Sequence, residues 1–454
     1  MSRATKKARR RQAAPASLVD ALRYFLTPGL WKQVRAALPG RQASRWQARP
    51  LVFVLLVMTW CSGDSAPERF ETARAFYVAT HQRRRRPGAT CAGFQLALAR
   101  VPVRALRVVA AAVRGRLAQA FGRRLEVGGF IPFGCDGSRV ACPRSAELEQ
   151  RLPSGGTGKA TPQVWVTALV HLGTGLLWSW RLGKGDADER QHLRQLVATL
   201  PRRALLVADA AFPAYDLLLA LNAAGLAFLI RLSSRAPLYV EDKRTLKKYC
   251  EGQLYYWPAR EQRKGRPPIP VRLVRLRRLD APVCLITNVL DERRLPRKSA
   301  GQFYRWRWRN EGLFRTYKGT LKKVKLCSRT VAQVHRELEG SLLAVQLLLA
   351  QGALALHRAR KADVLPSPRQ VLVAIRAEVR NVTGTYLGPR QRRTYWQRLQ
   401  QARRDSERRN DKARRRWPGR VPHKPPRPPK ILKMGTDLKE LMAQTLDRKA
   451  TPTF

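Results

Sequence analysis

Apolar residues recur at three- and four-residue spacing in Leu18–Phe25, Leu51–Trp60 and Val103–Phe121, which predicts a helical region from Ser17 to about Gly122. The pattern changes near Leu125. Gly129–Asp136 reads as a strand ending at an aspartate. Gln163–Leu172 and Leu176–Leu182, joined by Gly173-Thr-Gly175, read as a hairpin. A helix over Ala187–Leu200 follows, then a strand over Ala204–Ala208 that ends at Asp209. A helix over Ala214–Ala224 with Gly225 as its stop leads to a strand over Ala227–Leu232. This alternation predicts a mixed α/β layer fold. From Ser233 to about Asp280 the stretch is basic and contains proline, with short strands at Leu238–Val240, Leu254–Trp257 and Val271–Leu276, and reads as a β-rich insertion. Val283–Thr287 is a further strand, and Ser299–Tyr317 and Val331–His357 are helical. The expected divisions are a helical region with a basic arm (1–124), a first core part (125–232), the insertion (233–282), a second core part (283–375) and a basic tail (376–454).

Charge adds a partner to this picture. The 454 residues carry 89 Lys and Arg against 31 Asp and Glu, a formal net charge of +58. Such an excess opposes compaction, and a polyanion compensates for it because each neutralised phosphate releases condensed counterions. An anionic membrane surface would also attract the charge. However, the longest apolar runs, Leu51–Cys61 and Leu342–Leu356, fall short of the roughly 20 residues that span a bilayer. They read as buried helices, and no membrane association is expected. Seven cysteines without a CxxC pair suit a reducing cytoplasm and form neither a disulfide framework nor a zinc site.

Candidate chemistry begins on the helix around Glu311. At about 100° per residue, Tyr304, Arg307, Glu311 and Lys318 share an arc of about 60°, and Arg315 extends the stripe. A glutamate flanked by cations suits a metal ligand beside bound phosphate. The plainer reading is an Arg307–Glu311 surface ion pair. Trp306, Trp308, Leu313 and Phe314 take much of the remaining circumference. Phosphodiester chemistry commonly uses two divalent ions about 4 Å apart, held by several oxygen ligands. Such hard ligands select Mg²⁺ or Mn²⁺. Asp136 and Asp209, each at an expected strand end, supply two more carboxylates; taken singly, each could equally cap a turn or helix.

These residues carry a resemblance to the IS4-type family of bacterial insertion-sequence transposases. Tyr304, Arg307, Glu311 and Lys318, separated by two, three and six residues, match that family's spaced signature. Asp136-Gly-Ser138 resembles the context of its first aspartate. Leu206–Phe212, running through a helix to Ile230-Arg231, resembles the second, and Val283–Thr287 resembles the strand before its glutamate helix. The similarity covers about residues 125–360. It implies an RNase H-like core with a β-rich insertion and phosphoryl transfer without a covalent enzyme intermediate. Asp136, Asp209 and Glu311 would hold two Mg²⁺ or Mn²⁺ ions. Tyr304, Arg307, Arg315 and Lys318 would contact DNA. Water and then a 3′-hydroxyl would attack in line, giving cut-and-paste transposition. The partners implied are double-stranded element ends and target DNA, with a homodimer on synapsed ends in a nucleoid-associated, cytoplasmic setting. Family members often excise through a hairpin and stack a flipped base on an aromatic of the insertion. Trp257 is the residue expected there, with packing of the insertion's own sheet as the alternative.

Other features are weaker. Gly155–Thr161 fails the phosphate-loop pattern because Ala160 stands where a hydroxyl residue is needed. Asp186, Asp188 and Glu189 are expected to cap the helix that follows, and His192 to lie on its surface. Between Arg390 and Lys430 there are 16 Lys or Arg against three acids, so Tyr395, Trp396 and Trp417 fall in an expected solvated, basic tail. The helical N-terminal region is expected to bind element ends, though no recognition helix is distinguished. The alternatives to a transposase are a nuclease of the same fold without strand transfer and a non-catalytic DNA-binding protein.

Overall fold

The computed structural model describes residues 15, 17–38, 45–82, 84–154, 161–233, 236–246, 251–276, 283–361, 364–384, 393–404 and 428–450. The Gly155–Lys159 stretch and Trp417 lie outside these residues.

Among the described residues the chain opens with six helices: α1 (Leu18–Phe25), α2 (Pro28–Ala36), α3 (Ala48–Trp60), α4 (Ala66–Thr80), α5 (Cys91–Ala99) and α6 (Val103–Phe121). Side chains of Ser17, Thr27, Ser65 and Thr90 accept backbone N–H groups at four of the N-termini, which gives these helices defined starts. The sheet follows. Strand β1 (Ile131–Ala141) leads through α7 (Ala146–Arg151) to the hairpin β2 (Gln163–His171) and β3 (Leu176–Lys184). Gly175, at φ +70°, closes the turn in a backbone conformation that favours glycine. Helix α8 (Glu189–Val197), β4 (Ala204–Ala208), α9 (Tyr215–Ala223) and β5 (Ala227–Arg231) come next. Strands β6 (Leu238–Val240) and β7 (Gly252–Tyr256), α10 (Ala259–Arg263), β8 (Ile269–Leu276) and β9 (Val283–Thr287) occupy the basic, proline-containing stretch and its exit.

The described strands form one ten-stranded sheet, ordered β10-β6-β7-β8-β9-β5-β4-β1-β2-β3, where β10 is Ile431–Lys433. Within β3-β2-β1-β4-β5, β1 to β3 are antiparallel while β4 and β5 run parallel to β1, the RNase H-like arrangement implied by the resemblance. The β6–β8 stretch does not form a separate sheet. It continues the core sheet because β8 pairs along β9, which itself pairs with β5.

Two strand and helix boundaries differ from expectation, and both matter for the site. β1 does not end at Asp136 but runs five residues further, to Ala141. Its parallel pairing with β4 stops at Gly134–Val207, whereas its antiparallel pairing with β2 continues to Ala141–Gln163. Asp136 therefore sits where β1 has lost its β4 neighbour. Likewise, the expected helix over Ser299–Tyr317 is broken into α11 (Arg297–Trp306), a turn at Arg307–Trp308, α12 (Arg309–Arg315) and a π-helical turn over Thr316–Thr320.

Helix α13 (Val331–Arg358) is the central pillar. By length and composition it could cross a membrane, but its apolar stretch is almost entirely buried against α6, α3 and β3. Glu339 on this helix is buried; it accepts from Arg107 of α6 at 2.6 and 3.1 Å and from the Trp180 indole of β3 at 2.7 Å. One carboxylate thus ties the helical layer to the sheet.

The C-terminal stretch is only partly a tail. α14 (Pro368–Thr383) packs on α4 and α13, and α15 (Tyr395–Gln401) buries Tyr395 and Trp396. The Tyr395 hydroxyl donates to Gln351 at 2.8 Å. These aromatics serve the core, a correction to their expected place among solvated arginines. Strand β10 adds in parallel to β6, and α16 (Thr436–Ala450) follows. Met434, Leu438, Leu441 and Met442 then cover Tyr239 and Trp257.

Candidate active site

Asp136 and Asp209 come from adjacent parallel strands, one within β1 and the other directly after β4. Each carboxylate is held by local backbone: Asp136 Oδ1 accepts the N–H of Gly137 at 2.9 Å, and Asp209 Oδ1 accepts the N–H of Ala211 at 2.9 Å. Helix α12 packs across β1 and β2 and brings Glu311 to the same end of the sheet. The close approach of this helix depends on Gly134. A methyl built there would overlap the side chain of Asn310, which is buried beside Glu311.

The four signature residues fall on four pieces of backbone, α11, the Arg307–Trp308 turn, α12 and the π-helical turn. Tyr304, on α11, is buried in a cluster with Leu295 and Phe303. It supports Arg307, whose guanidinium lies 5.6 Å above the Tyr304 ring and 5.2 Å from the Trp308 ring. The Tyr304 ring is thus packed between that cluster and the Arg307 guanidinium. Arg307 reaches across to Asp209, 3.8 Å from Oδ2. Lys318, in the π-helical turn, donates to Ser138 Oγ on β1 at 2.7 Å. Burial holds the Lys318 ammonium below its ordinary pKa. Arg315 is exposed. Trp308 is 51% exposed, an aromatic surface beside Arg307 that sequence patterning assigned only to helix circumference.

Trp257 is elsewhere. It is fully buried in the small cluster under α16, and its indole donates to the Arg266 carbonyl at 2.8 Å. The expectation that it offers a stacking face is corrected: β6, β7 and the C-terminal helix need its ring as their core.

A fourth acid joins the group. Asp188 caps α8, its Oδ1 accepting the Arg190 N–H at 2.9 Å, as expected. Glu189 does not cap. Its Oε1 turns to β1 so closely that a methyl built on Gly137 would overlap it. His192, expected at the surface, is buried with Nδ1 3.0 Å from Thr167 Oγ1. Sequence patterning missed Glu189 because one acid in a first helical turn looks like any other; the glycine facing it, Gly137, is the only signal.

The group is electrostatically strained. Burial, with Asp209 and Glu311 adding to it, raises the Asp136 carboxyl to about 6, against the Gly137 N–H and Arg307. Burial, then the charges of Asp136, Asp209 and Asp188, raises Glu189 to about 8. Among the described residues no three carboxylates converge closely enough to share one ion. They border a common space, and mutual repulsion opposes closer approach. The donor set suits a hard divalent cation: the candidate ligands are carboxylate oxygens, and Glu189 Oε1 is buried without a hydrogen-bond partner.

Residues 135–347 match the family model described as "Transposase DDE domain", a span that begins just before Asp136 and includes Asp209 and Glu311. No curated protein matches the chain. Among solved structures, a cryo-EM structure of a piggyBac transposase synaptic complex with hairpin DNA aligns at a TM-score of 0.41 and 11% identity, covering 86% of this chain and 85% of that one.

Proposed function

We propose that this chain, whose residues 135–347 match a transposase DDE domain, is a DNA transposase that cuts the ends of a mobile element and joins them to target DNA, using Asp136, Asp209 and Glu311 as ligands for divalent metal. The observation that carries the reading is the pair of cross-links between the glutamate segment and the aspartate strands, Arg307 to Asp209 and Lys318 to Ser138. They set cations among the carboxylates, where a scissile phosphate requires both.

Two Mg²⁺ or Mn²⁺ ions held by these carboxylates would activate the attacking oxygen and stabilise the leaving one. The chain's own residues do the rest. Arg307, held between Tyr304 and Trp308, presents a guanidinium to a phosphate next to Asp209. Lys318 exchanges its Ser138 contact for a phosphate oxygen, a change favoured by its partial desolvation. Arg315 reaches the backbone further out. In cleavage, water forms a bond to phosphorus, the bond to the 3′-oxygen breaks, and that oxygen takes a proton. In joining, the new 3′-hydroxyl attacks a target phosphorus and releases a target 3′-hydroxyl, so one phosphodiester replaces another.

Double-stranded DNA is the partner, the net charge of +58 supplying the general affinity. Two chains act on two synapsed ends, in the nucleoid. The test is a joining assay with labelled element ends, target plasmid and Mg²⁺. Joined product is expected; cleavage without joining leaves a nuclease, and binding without cleavage overturns the enzymatic reading. Glu311→Gln is expected to bind the ends and not cut them.

A further inference from the structure

We propose that Glu189 is a fourth metal-holding carboxylate of this site, facing the ion that Asp136 binds. The inference rests on the metal-dependent reading above and extends its ligand set beyond the two aspartates and the glutamate.

Three observations carry it. The first is position: Glu189 opens α8, which packs on β2 and β3, and its side chain crosses to β1 at Gly137, the residue after Asp136. Asp188 caps the helix, so Glu189 is not needed for that purpose. The second is the lack of a partner. Among the described residues, no hydrogen-bond donor and no cation meets the buried Glu189 Oε1. An uncompensated buried carboxylate oxygen is costly, and folds retain one where something binds it. The Arg307 guanidinium pairs with Asp209. The third is the room made for it. Gly137 follows Asp136 directly, and a methyl there would overlap both Glu189 Oε1 and the Trp165 ring. A side chain at 137 would push the carboxylate away from Asp136. The Trp165 ring is itself anchored, its indole donating to Thr167 at 3.0 Å, so it forms a fixed wall behind the carboxylate.

A protonated glutamate that merely fills space is the competing explanation, and metal binding separates the two. The full-length protein, stripped with EDTA, is titrated with Mn²⁺ while free Mn²⁺ is followed by electron paramagnetic resonance. Wild type, Glu189→Gln, Glu189→Asp and Asp136→Asn are compared. Glu189→Gln is expected to weaken the affected Mn²⁺ site by about 10–100-fold. Its DNA cleavage should recover in part as Mn²⁺ is raised. Glu189→Asp keeps the charge on a shorter arm and should fall between the two, and it serves as the reporter if Glu189→Gln fails to fold. If both Glu189 variants bind Mn²⁺ as wild type does while Asp136→Asn does not, the inference about Glu189 falls and the functional reading stands. If wild type takes up no Mn²⁺, both fall.

Discussion

Glu339, at the seam between the helical layer and the sheet, is fully buried, and Glu189, at the mouth of the site, is half-buried with one buried carboxylate oxygen. Glu339 is fully served, with an arginine on one oxygen and an indole on the other. Glu189 has a buried oxygen with no partner, and three other acids are its neighbours. Glu339 is the more deeply buried of the two, yet it is the one with partners. The partner count separates them. A carboxylate whose lone pairs are satisfied within the fold holds structure together, whereas one left unsatisfied among like charges is set up for a cation from outside.

The sharpest way to break that contrast is to exchange the consequences. Glu311→Gln or Asp136→Asn, at the mouth, should lower DNA cleavage by about three orders of magnitude, because several kcal/mol of metal stabilisation is lost. Melting temperature and end binding should stay near wild type, and a gel-shift with a cleavage time course reads both. Glu339→Ala, at the seam, should do the reverse. It strands Arg107 and the Trp180 N–H and should cost about 3 kcal/mol of stability by denaturant unfolding, with metal affinity unchanged. A Glu339→Ala protein as stable as wild type would remove the distinction.

Acidity gives a subtler contrast. The Asp136 and Glu189 carboxyls sit above the usual carboxylate range, at about 6 and about 8. Between the unfolded-state values and these, the folded chain holds protons that the unfolded chain has released, so its stability falls as pH rises. Metal-free protein should therefore melt progressively lower from about pH 5 to about pH 8. Glu189→Gln should flatten the upper part of that profile, and a melting curve unchanged by the substitution would show that Glu189 is not strained as described. Mn²⁺ affinity should rise over the same interval, since binding displaces those protons. The smallest effect is expected at Ser138→Ala, which removes one hydrogen bond to Lys318; it should cost about 1 kcal/mol of stability by denaturant unfolding and leave single-turnover cleavage no slower, because Lys318 gives up that bond for phosphate.

Much of this protein was legible in sequence because local physics set it. The spans Leu18–Phe25, Val103–Phe121, Ala204–Ala208, Leu238–Val240 and Val283–Thr287 form as the apolar periodicity predicts. Gly225 stops its helix at φ +64°. The strand placing of Asp136 and Asp209 was also readable, though not the continuation of β1, which depends on β2 staying paired after β4 departs. The 100° wheel over Tyr304–Lys318 failed for a similar reason. It assumes an unbroken helix, and Arg307–Trp308 and the π-helical turn reset the phase, so Tyr304 is buried while Lys318 turns back to Ser138.

The sequence by itself determined the excess of positive charge, +58, on which the proposed polyanion partner rests. It also determined the acid and base types at the site, through spacing along the chain. Only the tertiary structure decided which tryptophan is covered, which acid is orphaned and which glycine makes room for it. Trp257 is buried because a strand and helix nearly two hundred residues later close over it. Glu189 belongs with Asp136 because Gly137, on a strand that precedes it by about fifty residues, lacks a side chain. Such contacts depend on distance in space, and separation along the chain carries no record of them.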